Sequence, residues 1–139
     1  TPGIVLIQTI NPDHYAIRCA AAQNYESFYN KEIEFRRLML YPPFGALANV
    51  MIRGIHQEEV HERSAALARL LNPAPEGVKV LGPAAAVARV NKEYRDQMLL
   101  KASDRKRLRK IAERLRDFAS AEKWPATALA IDVDPMTLL

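Results

Sequence analysis

The sequence predicts an α+β fold over residues 46–139, with two helices packed on one face of a mainly antiparallel sheet. Apolar residues alternate with a period of two over residues 47–53, which predicts a half-buried strand. Helical periodicity marks residues 57–71 and 104–121. Short apolar runs predict four further strands, at residues 78–81, 86–90, 97–102 and 127–133. The order is therefore strand, helix, strands, helix, strand.

Residues 1–40 do not fit that unit and are predicted to precede it as a separate piece. Residues 3–9, GIVLIQT, are short, apolar and β-branched, which predicts a buried strand. Helical spacing follows from residue 13 and again over residues 25–39. Two consecutive prolines end the second helix, because each removes a backbone donor. Residues 41–45 are thus predicted to be a rigid junction between two units, and an ordinary internal turn is the alternative.

Within the main unit, residues 91–96 are predicted to join two strands as a hairpin. Ser103 is expected to cap the long helix, since its hydroxyl can accept a hydrogen bond from an amide two or three residues on. On that helix six apolar residues fall within an arc of about 120° and are predicted to face the core: Leu108, Ile111, Ala112, Leu115, Phe118 and Ala119.

The composition is that of a globular protein, with 49% hydrophobic and 26% charged residues. The net charge of +4 is unevenly distributed. Residues 89–116 hold eleven basic residues against four acids, a charge of +7 that leaves −3 for the remainder. A local cationic surface attracts phosphate or a carboxylate-rich peptide, and a solvated helix face is the alternative.

Cys19 is the only cysteine, so the sequence offers neither a disulfide nor a paired-cysteine zinc site. No apolar run approaches the roughly 20 residues that span a bilayer, and the chain does not open with a secretory signal. We therefore expect a cytoplasmic protein without a membrane partner. The chain starts without Met in a strand-like run, which suggests a piece of a longer protein.

Several short motifs follow one another along nearly the whole chain. They are GIVLIQTINPDHYAI, YESFY, YPPFG, LGPA, Tyr94-Arg95 with Gln97, LLK and the terminal IDVDP. In this order and spacing they resemble the C-terminal end of the PriA family of primosomal replication-restart DNA helicases.

The resemblance implies that residues 1–40 end the second helicase lobe and that residues 46–139 form a C-terminal binding domain, similar in fold to a small ribosomal RNA-binding protein. It also implies that the intact protein hydrolyses ATP with Mg²⁺, binds Zn²⁺ and loads the primosome at stalled forks. This chain contains no GxxxxGK[ST] phosphate loop and no DExH run. We therefore expect no catalytic residues, no cofactor and no enzymatic activity in it.

The resemblance further implies two ligands, DNA and the acidic, hydrophobic tail of the single-stranded DNA-binding protein, alongside other primosome proteins. Residues on the predicted hairpin could contact the phosphates of forked or single-stranded DNA, with a tyrosine as a stacking ring. These candidates are Arg89, Lys92, Tyr94, Arg95 and Lys101.

The tail would bind at an arginine stripe on the border of the long helix, formed by Arg105, Arg109 and Arg116. Leu108 and Ala112 would supply an apolar pocket beside the stripe. The alternative is a solvated face in which Arg109 pairs with Glu113 four residues on.

Asp132 and Asp134 lie two apart on a predicted strand and so share a face. No third ligand is near in sequence, so we predict a structural role, pairing with basic residues, and no metal site. The three histidines have no shared spacing and are expected at the surface.

Two other functions remain open at this point. A helix-on-sheet sandwich of this order also serves as a small-molecule-binding regulatory domain, although residues 54–57 are a poor anion-cradling loop. A purely scaffolding domain that docks on the helicase motor is the other alternative.

Overall fold

The computed structural model describes residues 3–86 and 92–136. The chain divides into two compact units, Thr1–Met39 and Leu40–Leu139. The described elements are four helices and four strands, and they form the mixed α+β fold that the sequence predicts. No helix in the described ranges is long and apolar enough to cross a bilayer.

The first unit is built on two helices, α1 (Tyr15–Ala21) and α2 (Tyr25–Met39), and α2 has the bounds that its periodicity predicts. The hydroxyl of Tyr15 donates a hydrogen bond to Glu32, and Arg36 Nε donates to the same carboxylate at 2.7 Å. The bonds from Tyr15 and then Arg36 lower the pKa of Glu32, because they stabilise its charged form. The bond to Glu32 raises the pKa of Tyr15.

The buried strand predicted over residues 3–9 is wrong. These residues form no regular structure, and Ile4, Val5 and Leu6 are 90%, 86% and 91% exposed. A strand needs a neighbouring strand to pair with its backbone amides and carbonyls. Residues 3–39, the described part of this unit, contain only helices, so the apolar run has no sheet to join.

The second unit contains a four-stranded sheet of β1 (Ala46–Gly54), β2 (Val78–Ala85), β3 (Tyr94–Ala102) and β4 (Leu129–Val133). The strand order is β2-β3-β1-β4, and every neighbouring pair is antiparallel. The two longest strands, β1 and β3, are therefore adjacent at the centre. This arrangement confirms the antiparallel sheet.

Helices α3 (Gln57–Leu70) and α4 (Arg105–Ala121) pack on one face of this sheet, as predicted. The alternation of β1 places every second side chain on that face, which buries an apolar row. Burial of each large apolar side chain contributes about 1.5–3 kcal/mol. The core consists mainly of Ala48, Val50, Ile52, Val60, Leu67, Met98, Leu100, Leu108, Ile111 and Leu115.

The strand boundaries between residues 78 and 102 differ from the prediction. β2 continues through Ala85 instead of ending at Leu81, and β3 begins at Tyr94 instead of Gln97. Ala86 follows β2 outside any strand, and the remainder of the strand predicted over residues 86–90 lies outside the described residues.

The continuation of β2 depends on an irregularity in its pairing with β3, between Leu81 and Ala84. Gly82 lies in this irregularity with a φ of +95°, and a Cβ there would lie 2.7 Å from the carbonyl oxygen of Gln97. Glycine is required because a side chain would meet both a strained backbone and a steric clash.

The predicted cap of α4 is also wrong by one residue. Asp104, not Ser103, is the N-cap, and its Oδ1 accepts a hydrogen bond from the Arg107 amide at 3.0 Å. This backbone bond is the main reason that the pKa of Asp104 is lowered. A carboxylate at this position also interacts favourably with the positive end of the helix dipole, which a hydroxyl cannot match.

Candidate nucleic-acid and peptide interface

The sheet has a second face, defined here as the side opposite α3 and α4. Along β3 the side chains of Arg95, Gln97, Leu99 and Lys101 point to this second face, since Met98 and Leu100 are in the core. The register places Arg53 of β1 directly opposite Arg95. The second face therefore combines cationic, amide and aliphatic side chains.

The hairpin residues predicted to contact DNA do not all lie together. Lys92 is exposed just before β3, with a φ of +66°. Tyr94 and Arg95 are both half-buried, but they point to opposite faces because they are successive residues of a strand. Tyr94 packs against the core. Arg89 lies outside the described residues.

Lys101 lies at the other end of β3. It lies six positions after Arg95, or about 20 Å along a strand. Lys101 is only 7% exposed. Its Nζ lies 3.9 Å from the centroid of the Tyr41 ring, as in a cation–π interaction. Little of Lys101 is left to meet a phosphate, so the cationic side chains near the hairpin are Lys92 and Arg95.

Arg53 is a candidate that the sequence analysis did not identify. Its Nε donates a hydrogen bond to the carbonyl oxygen of Thr127 at 2.7 Å, which holds the side chain beside β4. The alternation of β1 places Arg53 on the same face as Asn49 and Met51. Its proximity to Arg95 requires β1 and β3 to be neighbours, and the sequence alone does not establish that.

The basic stripe of Arg105, Arg109 and Arg116 runs along α4 as predicted, and all three side chains are exposed. Arg105 forms an ion pair with Asp134, and Arg116 Nη2 lies 3.5 Å from the carbonyl oxygen of Ile131. Arg109 has no ion pair or hydrogen bond to Glu113 or to any other residue in the described ranges. Of the three arginines in the stripe, Arg109 therefore has the guanidinium that is most accessible to a ligand.

Leu108 and Ala112 do not form the apolar pocket predicted beside the stripe. Leu108 and Ala112 are 0% and 1% exposed, because both are packed in the core. Ile131 is half-buried on β4, and Arg116 contacts its carbonyl oxygen. Leu108 and Ala112 therefore offer no open apolar surface beside the stripe.

Asp134 has the structural role that the sequence analysis predicts. One carboxylate oxygen accepts from the Leu47 amide at 3.1 Å and the other pairs with Arg105, so the residue ties α4 and β1 to the end of β4. Asp132 is exposed. Across residues 3–86 and 92–136, no three His, Cys, Asp or Glu side chains are placed to hold a metal ion.

A buried carboxylate, which the sequence analysis did not identify, joins α3 to β3. Asp96 is 4% exposed, and its Oδ2 lies 2.6 Å from both Ser64 Oγ and His61 Nδ1. In a nucleophilic triad the serine would contact the histidine ring, which takes its proton. Here both side chains converge on one carboxylate oxygen, so the cluster holds the helix on the sheet and does not activate the hydroxyl.

These features define a two-layer α+β domain with its cationic side chains on α4 and near the start of β3. Residues 37–136 match the family described as the primosomal protein N C-terminal domain, and the chain belongs to this family.

Curated relatives carry the name replication restart protein PriA. The protein from Treponema pallidum is 38% identical over 140 residues, which cover 99% of this chain and 21% of the relative. The protein from Synechocystis is 33% identical over 139 residues, which cover 99% of this chain and 16% of the relative. The chain thus spans about a fifth or less of the length of these relatives.

A solved structure of the de novo designed protein Foldit4 aligns with a TM-score of 0.46 and 16% identity. The alignment covers 64% of this chain and 92% of the designed one.

Proposed function

We propose that this chain is the C-terminal part of a replication-restart DNA helicase, in which it binds forked or single-stranded DNA and the acidic tail of the single-stranded DNA-binding protein. ATP hydrolysis and primosome loading would belong to the intact protein. The observation that carries the proposal is the +7 charge of residues 89–116, in a chain that belongs to a primosomal family. The names of the relatives, replication restart protein PriA, support the same role.

The DNA half of the proposal rests on the start of β3. Lys92 is exposed at this point, Arg95 follows on the second face, and Arg89 of the sequence adds a third cation nearby in the chain. Contacts of this kind bind the phosphate backbone without reading sequence, so the affinity should fall steeply with salt.

The tail half rests on the basic stripe. Arg105 already neutralises Asp134, which leaves Arg109 and Arg116 to meet the carboxylates of the peptide. A guanidinium fork fits a carboxylate well, because its paired donors match the two carboxylate oxygens.

A small-molecule regulatory site between β1 and α3 is less well supported. A Cβ added to Gly54 would lie 3.1 Å from Val60 Cγ2, so the backbone there is packed tightly against the helix. His56, the N-cap of α3, makes no side-chain hydrogen bond to the first turn of the helix.

The test is fluorescence anisotropy of the chain with a labelled forked DNA and, separately, a labelled tail peptide, at two salt concentrations. Arg95→Gln should weaken DNA binding and Arg109→Gln should weaken tail binding, each on the order of tenfold, because each removes a charged hydrogen-bond donor. Arg114→Gln, on the same helix but about 140° from Arg109, is the matched control.

Separate losses in the two variants would support two recognition surfaces. Equal losses in all three variants would indicate unspecific charge attraction. No binding of either ligand at low salt would contradict the proposal and leave the scaffolding role.

A further inference from the structure

The described residues contain four half-buried arginines, Arg36, Arg53, Arg63 and Arg95. Arg36 pairs with Glu32, and Arg63 pairs with Glu59. Arg53 and Arg95 have no carboxylate partner among the described residues, and the stretches that the structure does not describe contain no Asp or Glu in the sequence. Among the described residues, these two are therefore the half-buried guanidinium groups without a carboxylate partner.

The same two residues lie directly opposite each other, on β1 and β3. Side chains at opposed positions of an antiparallel pair have Cβ atoms about 4.5–5.5 Å apart, and like charges there destabilise the sheet. A second like-charged pair, Lys79 opposite Lys101, differs because the Lys101 ammonium lies over the Tyr41 ring. Within residues 3–86 and 92–136, no aromatic ring lies over the guanidinium of Arg53 or Arg95 in this way.

The guanidinium groups of Arg53 and Arg95 also have donors without hydrogen-bond partners among the described residues. Arg95 Nε is buried and has no hydrogen-bond partner. Arg53 uses Nε on the Thr127 carbonyl, which leaves its terminal nitrogens without a protein acceptor among the described residues. A buried donor without an acceptor costs about 1–3 kcal/mol in general, and among the described residues this applies to Arg95 Nε. The terminal nitrogens of Arg53 are charged donors that an acceptor from outside the protein can meet.

We propose that Arg53 and Arg95 together form one anion site that holds a single phosphate of the DNA backbone on the second face of the sheet. A phosphodiester fits because it offers one charge and two free oxygens, which can accept from two guanidinium forks at once. Lys92, exposed just before β3, extends the cationic surface toward a neighbouring phosphate. The assignment to DNA rests on the proposed function, but the anion site itself does not.

The first test measures the anion site without DNA. The melting temperature of the parent chain should rise on adding inorganic phosphate at constant ionic strength, with chloride as the balancing salt. Arg53→Gln and Arg95→Gln should each lose most of that rise. Arg69→Gln, exposed on α3 across the sheet, is the matched control and should keep it. An equal rise in all four proteins would overturn the site.

The second test measures forked-DNA affinity as a function of salt. Each single variant should bind on the order of tenfold more weakly. The slope of log affinity against log salt should fall by about 0.7–0.9, the value for one phosphate contact. The double variant should lose little more than either single one, because both residues serve the same phosphate. Arg53→Lys, which keeps the charge but not the fork, should recover the slope but only part of the affinity.

The outcomes of these tests distinguish the shared anion site from the proposed DNA-binding function. If DNA binds and Arg53→Gln has no effect, the shared site is wrong while the proposed function stands. If phosphate stabilises the parent through both arginines but DNA does not bind, the anion site stands and the DNA assignment falls. If the acidic tail peptide, and not phosphate, gives the Arg53-dependent stabilisation, the phosphate assignment is overturned.

Discussion

Single residues decide how the polar groups of this domain are satisfied, and Asp96 is the clearest case. It is a buried carboxylate with two partners, Ser64 Oγ and His61 Nδ1, both at 2.6 Å. The sequence predicts a hairpin loop at Asp96, because the residue follows Lys92, Tyr94 and Arg95 in a polar stretch. Its burial depends on the register of β3 and the rotation of α3, and neither can be derived from the local pattern.

We predict that Asp96→Ala lowers the free energy of unfolding by about 1.5–3 kcal/mol, because the change removes the carboxylate that the buried Ser64 hydroxyl and the His61 ring both contact. Urea unfolding followed by circular dichroism measures the loss. Asp132→Ala, an exposed aspartate on β4, should change the stability by no more than about 0.5 kcal/mol. Equal effects of the two variants would mean that the Asp96 cluster does not stabilise the fold.

Whole elements were more predictable than single contacts. The bounds of α2 agree with its periodicity, and α3 ends one residue earlier than predicted, because both helices carry a long repeating pattern. The predicted β2 ends too early because Gly82 and Pro83 interrupt its apolar run. In the structure the irregular pairing with β3 allows the strand to continue beyond these two residues. The strand predicted over residues 3–9 is wrong for the opposite reason, since this strand-like pattern has no partner strand among the described residues of its unit.

The stability of the helix pair α1–α2 should depend on pH through the hydrogen bond between Tyr15 and Glu32. The pKa of Glu32 is lowered, so its contribution is present above the ordinary value of 4.5 and is lost as the pH falls through the folded-state pKa. The pKa of Tyr15 is raised, so its contribution is present below the ordinary value of 10.0 and is lost as the pH rises through the folded-state pKa. The pair should be most stable between these two limits.

Cys19 reports on this unit selectively, because it is the only cysteine of the chain, lies on α1 and is 9% exposed. Its labelling by a pyridyl disulfide that reacts at acid pH should accelerate more in the parent than in Glu32→Gln as the pH drops below 4.5. Glu34→Gln, an exposed residue on the same helix, should follow the parent. If Glu34→Gln removes the acid response equally, the Tyr15–Glu32 bond is not its source.

At the scale of the whole molecule, the order of elements predicts the fold class, but it does not predict which strands are neighbours. Arg53 and Arg95 are 42 positions apart in the sequence, and they meet only because β1 lies beside β3. The basic stripe could be predicted because a single helix defines it. The Arg53–Arg95 pair could not, because two separate strands and their register define it.

The core of the second unit consists entirely of residues from position 46 onward. Folding free energy comes mainly from such apolar burial, so residues 40–139 should fold cooperatively without the first unit. The segment should begin at Leu40, because Tyr41 covers Lys101 and belongs to this unit. We expect its urea unfolding midpoint to match the sheet-specific transition of the whole chain, with Trp124 fluorescence as the probe.

The same shortened chain separates the two parts of the proposed function. All residues assigned to DNA and to the tail peptide lie within residues 40–139, so both affinities should remain within about threefold of those of the whole chain, a difference below 1 kcal/mol. An unfolded product would show that the first unit contributes to the stability of the second. A folded product that lost DNA binding would place part of the DNA surface on the first unit, where Arg18 and Arg37 are the exposed arginines to substitute next.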